Sequence, residues 1–242
     1  MLEYGSSSIK DIIDNSAKLL TSNLEWTVGT GGGGGGKFED LQTAINEANK
    51  YMNYSDKSIT IKLISDLVIN EFINIVNIHS PFLNIDFNGY SITLNNASYD
   101  IGFFMYNSIL GDINKLKINC NNKSINTAVL LQNNSFCRFN DMKGILNCLG
   151  NAFVLSTNSE AYVSGSTCEL SAGSSGYFSK GISSIGSKLL CHTCKFTQNS
   201  GALSQSVETS GIIDNHNTTF SGSITGKSQV VGTWTKNGYI SA

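Results

Sequence analysis

The sequence predicts an all-β solenoid, a stack of short parallel strands, and three observations predict it. The first is a recurring block of about two dozen residues in the second half of the chain. AVLLQNNSFCRFNDMKGILNCLG (128–150) lies over AFVLSTNSEAYVSGSTCELSAGS (152–174) without a gap. Leu131 falls over Leu155, Asn134 over Asn158, Ser135 over Ser159 and Leu146 over Leu170. A third copy places Ser187 on Ser159 and Cys191 on Val163 at a spacing of 28, then Cys194 on Cys168 and Phe196 on Leu170 at 26. A fourth places His216 on His192 and Phe220 on Phe196 at 24. A unit this short cannot bury its own apolar face and has to stack on its neighbours. The second observation is composition: hydrophobic residues are 40% and charged residues 14%, with 24 Gly and 1 Pro. Apolar residues alternate with Asn, Ser and Thr, as in stacked strands whose tight turns use residues that tolerate positive φ. Third, only strand signals follow Ser58: ITIKLI, then 67–78, 83–94 and 113–118, separated by Asn-Gly, Asn-Asn and Ser-Gly steps.

The elements follow in order. Ser6 to Asn23 reads as a helix, with Ile9, Ile12, Ile13, Ala17, Leu20 and Leu24 at three- and four-residue steps. Residues 1–24 are therefore read as an N-terminal segment for oligomerisation or attachment. Residues 25–30 read as a strand, followed by six glycines, Gly31 to Gly36. A second amphipathic helix is expected over 37–51, its face made of Phe38, Leu41, Ala44, Ile45 and Ala48. Such a stripe would cover the open end of the stack. The solenoid is expected over 25–228. Residues 229–242 break the period, and Asn237-Gly238 between WTK and YIS reads as a type I′ hairpin closing the other end.

The segment from Trp26 through Lys37 and Leu41 to Ile45 (WTVGT, the glycines, KFEDLQTAI) and the stretch LNIDFNGYSI from Leu83 to Ile92 carry a resemblance. They resemble the entry to right-handed parallel β-helix proteins of the pectin-lyase-like class, and bacteriophage tailspikes and tail fibres in particular. The resemblance covers about residues 24 to 95. It implies a virion fibre or tailspike-like protein for host-surface attachment by glycan recognition. The implied assembly is a homotrimer joined to other virion proteins through its N-terminus, made in the host cytoplasm and located in the virion. A glycan depolymerase, hydrolase or lyase, on the same fold is the alternative; a purely structural head or baseplate fibre is another.

A net charge of -2 offers no basic surface for nucleic acid or an anionic membrane. No apolar run approaches the ~18 residues of a spanning helix. No basic segment followed by an apolar core suggests a secretory leader. No cofactor is expected. Gly31 to Lys37 has the spacing of a phosphate-binding loop, but Phe38 stands where a Mg²⁺-ligating hydroxyl is required. The six cysteines (120, 137, 148, 168, 191, 194) read as reduced buried fillers, including the CxxC of Cys191 and Cys194.

Glycoside cleavage needs two carboxylates flanking the bond. In the aligned repeats, Lys188 stands over Glu160 and Lys195 over Glu169, which read as ion pairs between rungs. The weak catalytic candidates are Asp86, Asp100 and Asp112, in less regular rungs. Sugar binding asks for rings and amides on a surface of low charge. Tyr99, Tyr106, Tyr162 and Tyr177 are the candidate rings, with Tyr162 outward if Ala161 and Val163 point inward. No metal is expected; a column of His192 and His216 is the weak candidate for one.

Overall fold

The structure is a computed structural model describing residues 17–30, 37–95, 101–121, 125, 127–148, 151–172, 182–185, 187–200, 205–208, 211–216, 218–222 and 238–241. It is a parallel β-solenoid with one short helix among the described residues. A two-stranded sheet at the start pairs β1 (Lys18–Leu19) with β3 (Tyr51–Met52). A ten-stranded sheet contains β2 (Leu24–Val28), β4 (Ile59–Leu63), β7 (His79–Ser80), β8 (Leu83–Asp86), β11 (Ile109–Asn114), β14 (Phe136–Asn140), β17 (Glu160–Ser164), β20 (Lys188–His192), β23 (Gly211–His216) and β25 (Gly238–Ser241). A six-stranded sheet contains β6 (Ile73–Val76), β10 (Ile101–Tyr106), β13 (Thr127–Gln132), β16 (Asn151–Ser156), β19 (Ile182–Ile185) and β22 (Gln205–Glu208). A seven-stranded sheet contains β5 (Leu67–Ile69), β9 (Ile92–Leu94), β12 (Lys117–Asn119), β15 (Gly144–Cys148), β18 (Thr167–Ala172), β21 (Lys195–Ser200) and β24 (Thr219–Gly222). Successive strands pass from one sheet to the next, so each turn adds a rung to all three.

Alternation decides which residues face inward. In β4, Ile59, Ile61 and Leu63 are buried while Thr60 and Lys62 are turned outward. The same pattern puts Phe103, Met105, Val129, Leu131, Phe139, Phe153, Ala161 and Val163 into one continuous core. Phe139 and Phe153 meet edge-on at 5.3 Å, the preferred geometry for two buried rings.

The corners explain the abundance of Asn. Asn77, Asn107, Asn133, Asn134 and Asn158 have positive φ between the six- and ten-stranded sheets. Asn88, Lys115, Asp141, Gly165 and Thr193 have it between the ten- and seven-stranded sheets. A left-handed residue turns the chain within a few atoms, and Asn accepts that conformation more readily than most side chains. Beside the first corner runs a buried serine ladder. The N–H of Ile78 donates to Ser108 Oγ at 3.0 Å, Ser108 N–H to Ser135 Oγ at 3.2 Å, Ser135 N–H to Ser159 Oγ at 3.2 Å and Ser159 N–H to Ser187 Oγ at 3.0 Å.

The helix α1 spans Leu41–Ala48, shorter than the expected 37–51. Asp40 is its N-cap, accepting from Thr43 N–H at 2.7 Å. Leu41, Ala44, Ile45 and Ala48 are buried as expected, whereas Phe38 forms a parallel bridge to Val28 and Tyr51 enters β3. Phe38 and Tyr51 flank Trp26 with ring centroids at 5.3 and 5.7 Å.

Three expectations are corrected. The N-terminal helix does not extend to 24: Lys18–Leu19 pair with β3, Leu20 joins the core and Leu24 opens β2. The rest of that reading, and the glycine run, lie outside the described residues. Gly238–Ser241, expected as a hairpin arm, pairs in parallel with β23 as a further rung; residues 229–237 lie outside the described ones. The repeat register also shifts. Leu131–Leu155, Glu160–Lys188, Val163–Cys191, His192–His216 and Phe196–Phe220 are partners as aligned. However, Leu170 pairs with Ile145, Cys168 with Phe196, and Glu169 with Thr197 rather than Lys195. An irregularity between Ile145 and Cys148 absorbs one residue.

Candidate ligand-binding groove

The helix α1 and strand β6 form the walls of an open groove of about 360 Å³. Gln42, Asn46 and Asn49 line it from the helix side, and Glu71, Phe72 and Asn74 from the strand side. β6 is the terminal strand of its sheet, so one backbone edge has no strand partner. Gln42 supplies one. Its Oε1 accepts from Asn74 N–H at 2.8 Å and its Nε2 donates to Asn74 O at 2.8 Å. The amide thus stands in for a neighbouring strand and fixes the groove's width. Gln42 Nε2 also donates to Asn46 Oδ1 at 3.0 Å, aligning a second amide along the same helix face.

An aromatic run leads out of the groove along the outer face of the six-stranded sheet. Phe72 and Phe104 have centroids 6.4 Å apart, Phe104 and Tyr106 6.2 Å. Register explains this: Asn74 is the partner of Phe104 and Val76 the partner of Tyr106. Outward residues on adjacent strands stand side by side, so the rings flank the amides. Tyr106 is 39% exposed and Val76 38%, leaving apolar surface open to a ligand. Glu71, at the mouth, is exposed, and no cation pairs with it among the described residues. Of the rings named from the sequence, Tyr106 stands beside the groove; Phe72, Glu71 and Gln42 were not among the sequence candidates. The Gln42–Asn74 spacing belongs to no periodic pattern and gives no signal in one dimension.

The other sequence candidates fall elsewhere. Tyr99, Tyr177 and Asp100 lie outside the described residues. Asp86 and Asp112 share the outer face of the ten-stranded sheet on neighbouring strands, where Asp86 is the partner of Asn114. Each carboxylate has its own cation. Lys115 Nζ is 3.7 Å from Asp86 Oδ1, and Asn88 N–H donates to that oxygen at 2.7 Å. Arg138 Nε is 2.9 Å from Asp112 Oδ1, an ion-pair contact without the alignment of a hydrogen bond. Tyr162 is half-buried between Arg138 and Leu190, and Ala161 and Val163 beside it are buried, so it points outward.

His192 and His216 are strand partners, as the repeat requires. The exposed His192 has its Nδ1 3.1 Å from Thr193 Oγ1. Among the described residues no three His, Cys, Asp or Glu side chains gather as a metal site. All six cysteines are buried thiols outside any disulfide. Burial pushes the Cys137 and Cys168 thiols well up, with Asp112 adding to the effect at Cys137. Cys120 is raised by its hydrogen bond with Cys148 and by burial. Cys194 Sγ lies 3.4 Å from both the Val163 and His192 carbonyls, at a strand corner and not at a helix N-terminus. That is a packing position for a thiol, not a redox one.

The fold defines the chain as a parallel β-solenoid. No protein-family model, curated protein or solved structure matches it. Among the described residues no helix is long and apolar enough to cross a membrane.

Proposed function

We propose that this chain is a glycan-binding attachment protein, the right-handed β-helix shaft of a virion fibre or tailspike-like particle component. The groove is the observation that carries the binding half of this reading. A pyranose presents C–H groups on its faces and hydroxyls around its rim. Phe72, Phe104 and Tyr106 supply ring surface for the first, and Asn46, Asn49 and Asn74 supply amides for the second. The viral half rests on the resemblance of 26–45 and 83–92 to tailspike entry segments. The assembly that goes with it is a homotrimer attached to other virion proteins through the N-terminus.

The binder is favoured over the depolymerase. Asp86 and Asp112 are on a different sheet from the groove, and a glycosidic oxygen reaching them would have to displace Lys115 or Arg138. The test is a glycan-binding screen on the intact chain beside F72A/Y106A, with a reducing-end assay in parallel. Binding that the double variant loses, without release of reducing ends, is the expected outcome. Retention of binding by the double variant would remove the groove from this reading, and release of reducing ends would restore the enzyme.

A further inference from the structure

Among the described residues the groove lining carries one charge, and its sign is informative. Its lining presents Gln42, Asn46, Asn49 and Asn74 as amides, Phe72 as a ring and Glu71 as a carboxylate. Lys50, next to Asn49 in the sequence, is committed elsewhere: its Nζ lies 2.9 Å from Glu47 Oε2. An anionic sugar entering the groove would bring a second carboxylate beside Glu71 with no cation to offset it. A neutral hexose would satisfy the amides and leave Glu71 to water. An amino sugar does more, because its nitrogen substituent carries N–H donors that a carboxylate accepts in a charge-assisted bond.

The amides divide in the same way. Gln42 is held by the Asn74 backbone and by Asn46 Oδ1, so its carbonyl and both its N–H groups are already used. Asn49 and the Asn74 side chain remain for ring hydroxyls, with Val76 and Ile78 as the apolar floor. Among the described residues, the full charge that the lining offers a ligand is therefore an acceptor. Resting on the glycan-binding reading above, we propose that the groove selects a hexosamine unit, with Glu71 accepting from its amino or acetamido N–H.

The experiment compares four β-linked tetrasaccharides by isothermal titration: glucosamine, N-acetylglucosamine, glucose and galacturonate. The intact chain and E71Q are both titrated. The two nitrogen-bearing probes are expected to bind the intact chain most tightly, and galacturonate least. Loss of the charged acceptor in E71Q is expected to weaken glucosamine about tenfold while leaving glucose within about twofold. Glu71 is exposed, so an unchanged melting curve for E71Q shows that the fold is intact. Equal binding of all four, or preference for glucose or galacturonate, overturns the hexosamine assignment and leaves the glycan-binding reading standing. E71Q binding glucosamine as the parent does removes Glu71 from the assignment. Binding of none of the four to the intact chain overturns that reading and this inference together.

Discussion

Ser135 holds the register of one corner with two hydrogen bonds. Its hydroxyl donates to the Gln132 carbonyl at 2.6 Å and accepts from the buried Ser108 N–H at 3.2 Å. Removing it leaves that buried N–H without its partner. S135A is therefore expected to lose about 1–3 kcal/mol in a urea titration. A loss below a few tenths would show that the ladder follows the register instead of holding it. Asp66 makes the corresponding pH-sensitive contact. Its carboxylate accepts from the Ser91 N–H at 2.7 Å and Ser91 Oγ at 2.9 Å, and these bonds hold its pKa below the ordinary carboxylate value. A depressed folded-state pKa means that the stabilisation is complete above the unfolded value and is lost as pH falls through the folded one. D66N should therefore lower the melting temperature at neutral pH, converge on the parent as pH falls through the carboxylate range, and so flatten the acid limb. The thiols behave in the opposite sense. With Cys137 and Cys168 buried and their pKa values raised, neither should react with a maleimide at neutral pH until denaturant is added. Modification of the native chain at either position would contradict the core placement.

At the scale of the element, the helix α1 acts on the strand edge through one side chain. Q42A removes both bonds to Asn74 while leaving the buried face of Leu41, Ala44, Ile45 and Ala48 intact. Because Asn74 is exposed, water replaces the lost partner, and the expected cost is about 0.5–1.5 kcal/mol. Amide exchange at Asn74 should accelerate while the inner strands of the same sheet keep their protection; unchanged exchange would show that the edge is shielded in another way. The apolar face of this helix was legible in the sequence because i, i+3, i+4 spacing is a property of the helix alone. Its limits were not, because Phe38 and Tyr51 fit the helical spacing as well as the strand pairings that flank Trp26. Tertiary pairing likewise claimed Leu20 and Leu24. Register shows the same division. The Ser135 and Ser159 column was readable because no residue is gained or lost across that corner. Matching Cys194 to Cys168 was misleading: Thr167 pairs with Lys195, which puts the buried Cys194 at the level of the buried Ser166. Cys and Ser fill nearly the same volume at such a corner, so residue identity did not mark the column. The groove was half legible for a similar reason. Tyr106, beside the groove, stands in an alternating strand, but the lining residues Phe72 and Glu71 come from a rung with no readable repeat.

At the scale of the whole molecule, a thin solenoid has much lateral surface for its volume, and self-association is one way to cover it. The described surface concentrates apolar exposure at the N-terminal end. Leu19 is 57% exposed and Met52 44%, and they are partners across the β1–β3 pair. The chain arrives there from the segment whose sequence carries Ile9, Ile12 and Ile13. Since Leu20 and Leu24 are taken into the solenoid, the seam of the proposed trimer falls to those three isoleucines with Leu19 and Met52. The informative truncation is therefore after residue 16. Cutting at 24 would also remove β1 and the first residue of β2, and would confuse loss of assembly with loss of fold. The full chain is expected to scatter light as a trimer, and the chain lacking residues 1–16 as a monomer with the same far-ultraviolet circular dichroism. L19S/M52S in the full chain should weaken the trimer by roughly 1–3 kcal/mol per protomer if both side chains become buried between copies. An unchanged trimer in both variants would move the seam to the outer faces of the sheets. Val76 and Tyr106 would then be covered by a neighbouring copy, and the groove beside them would be partly closed to a glycan.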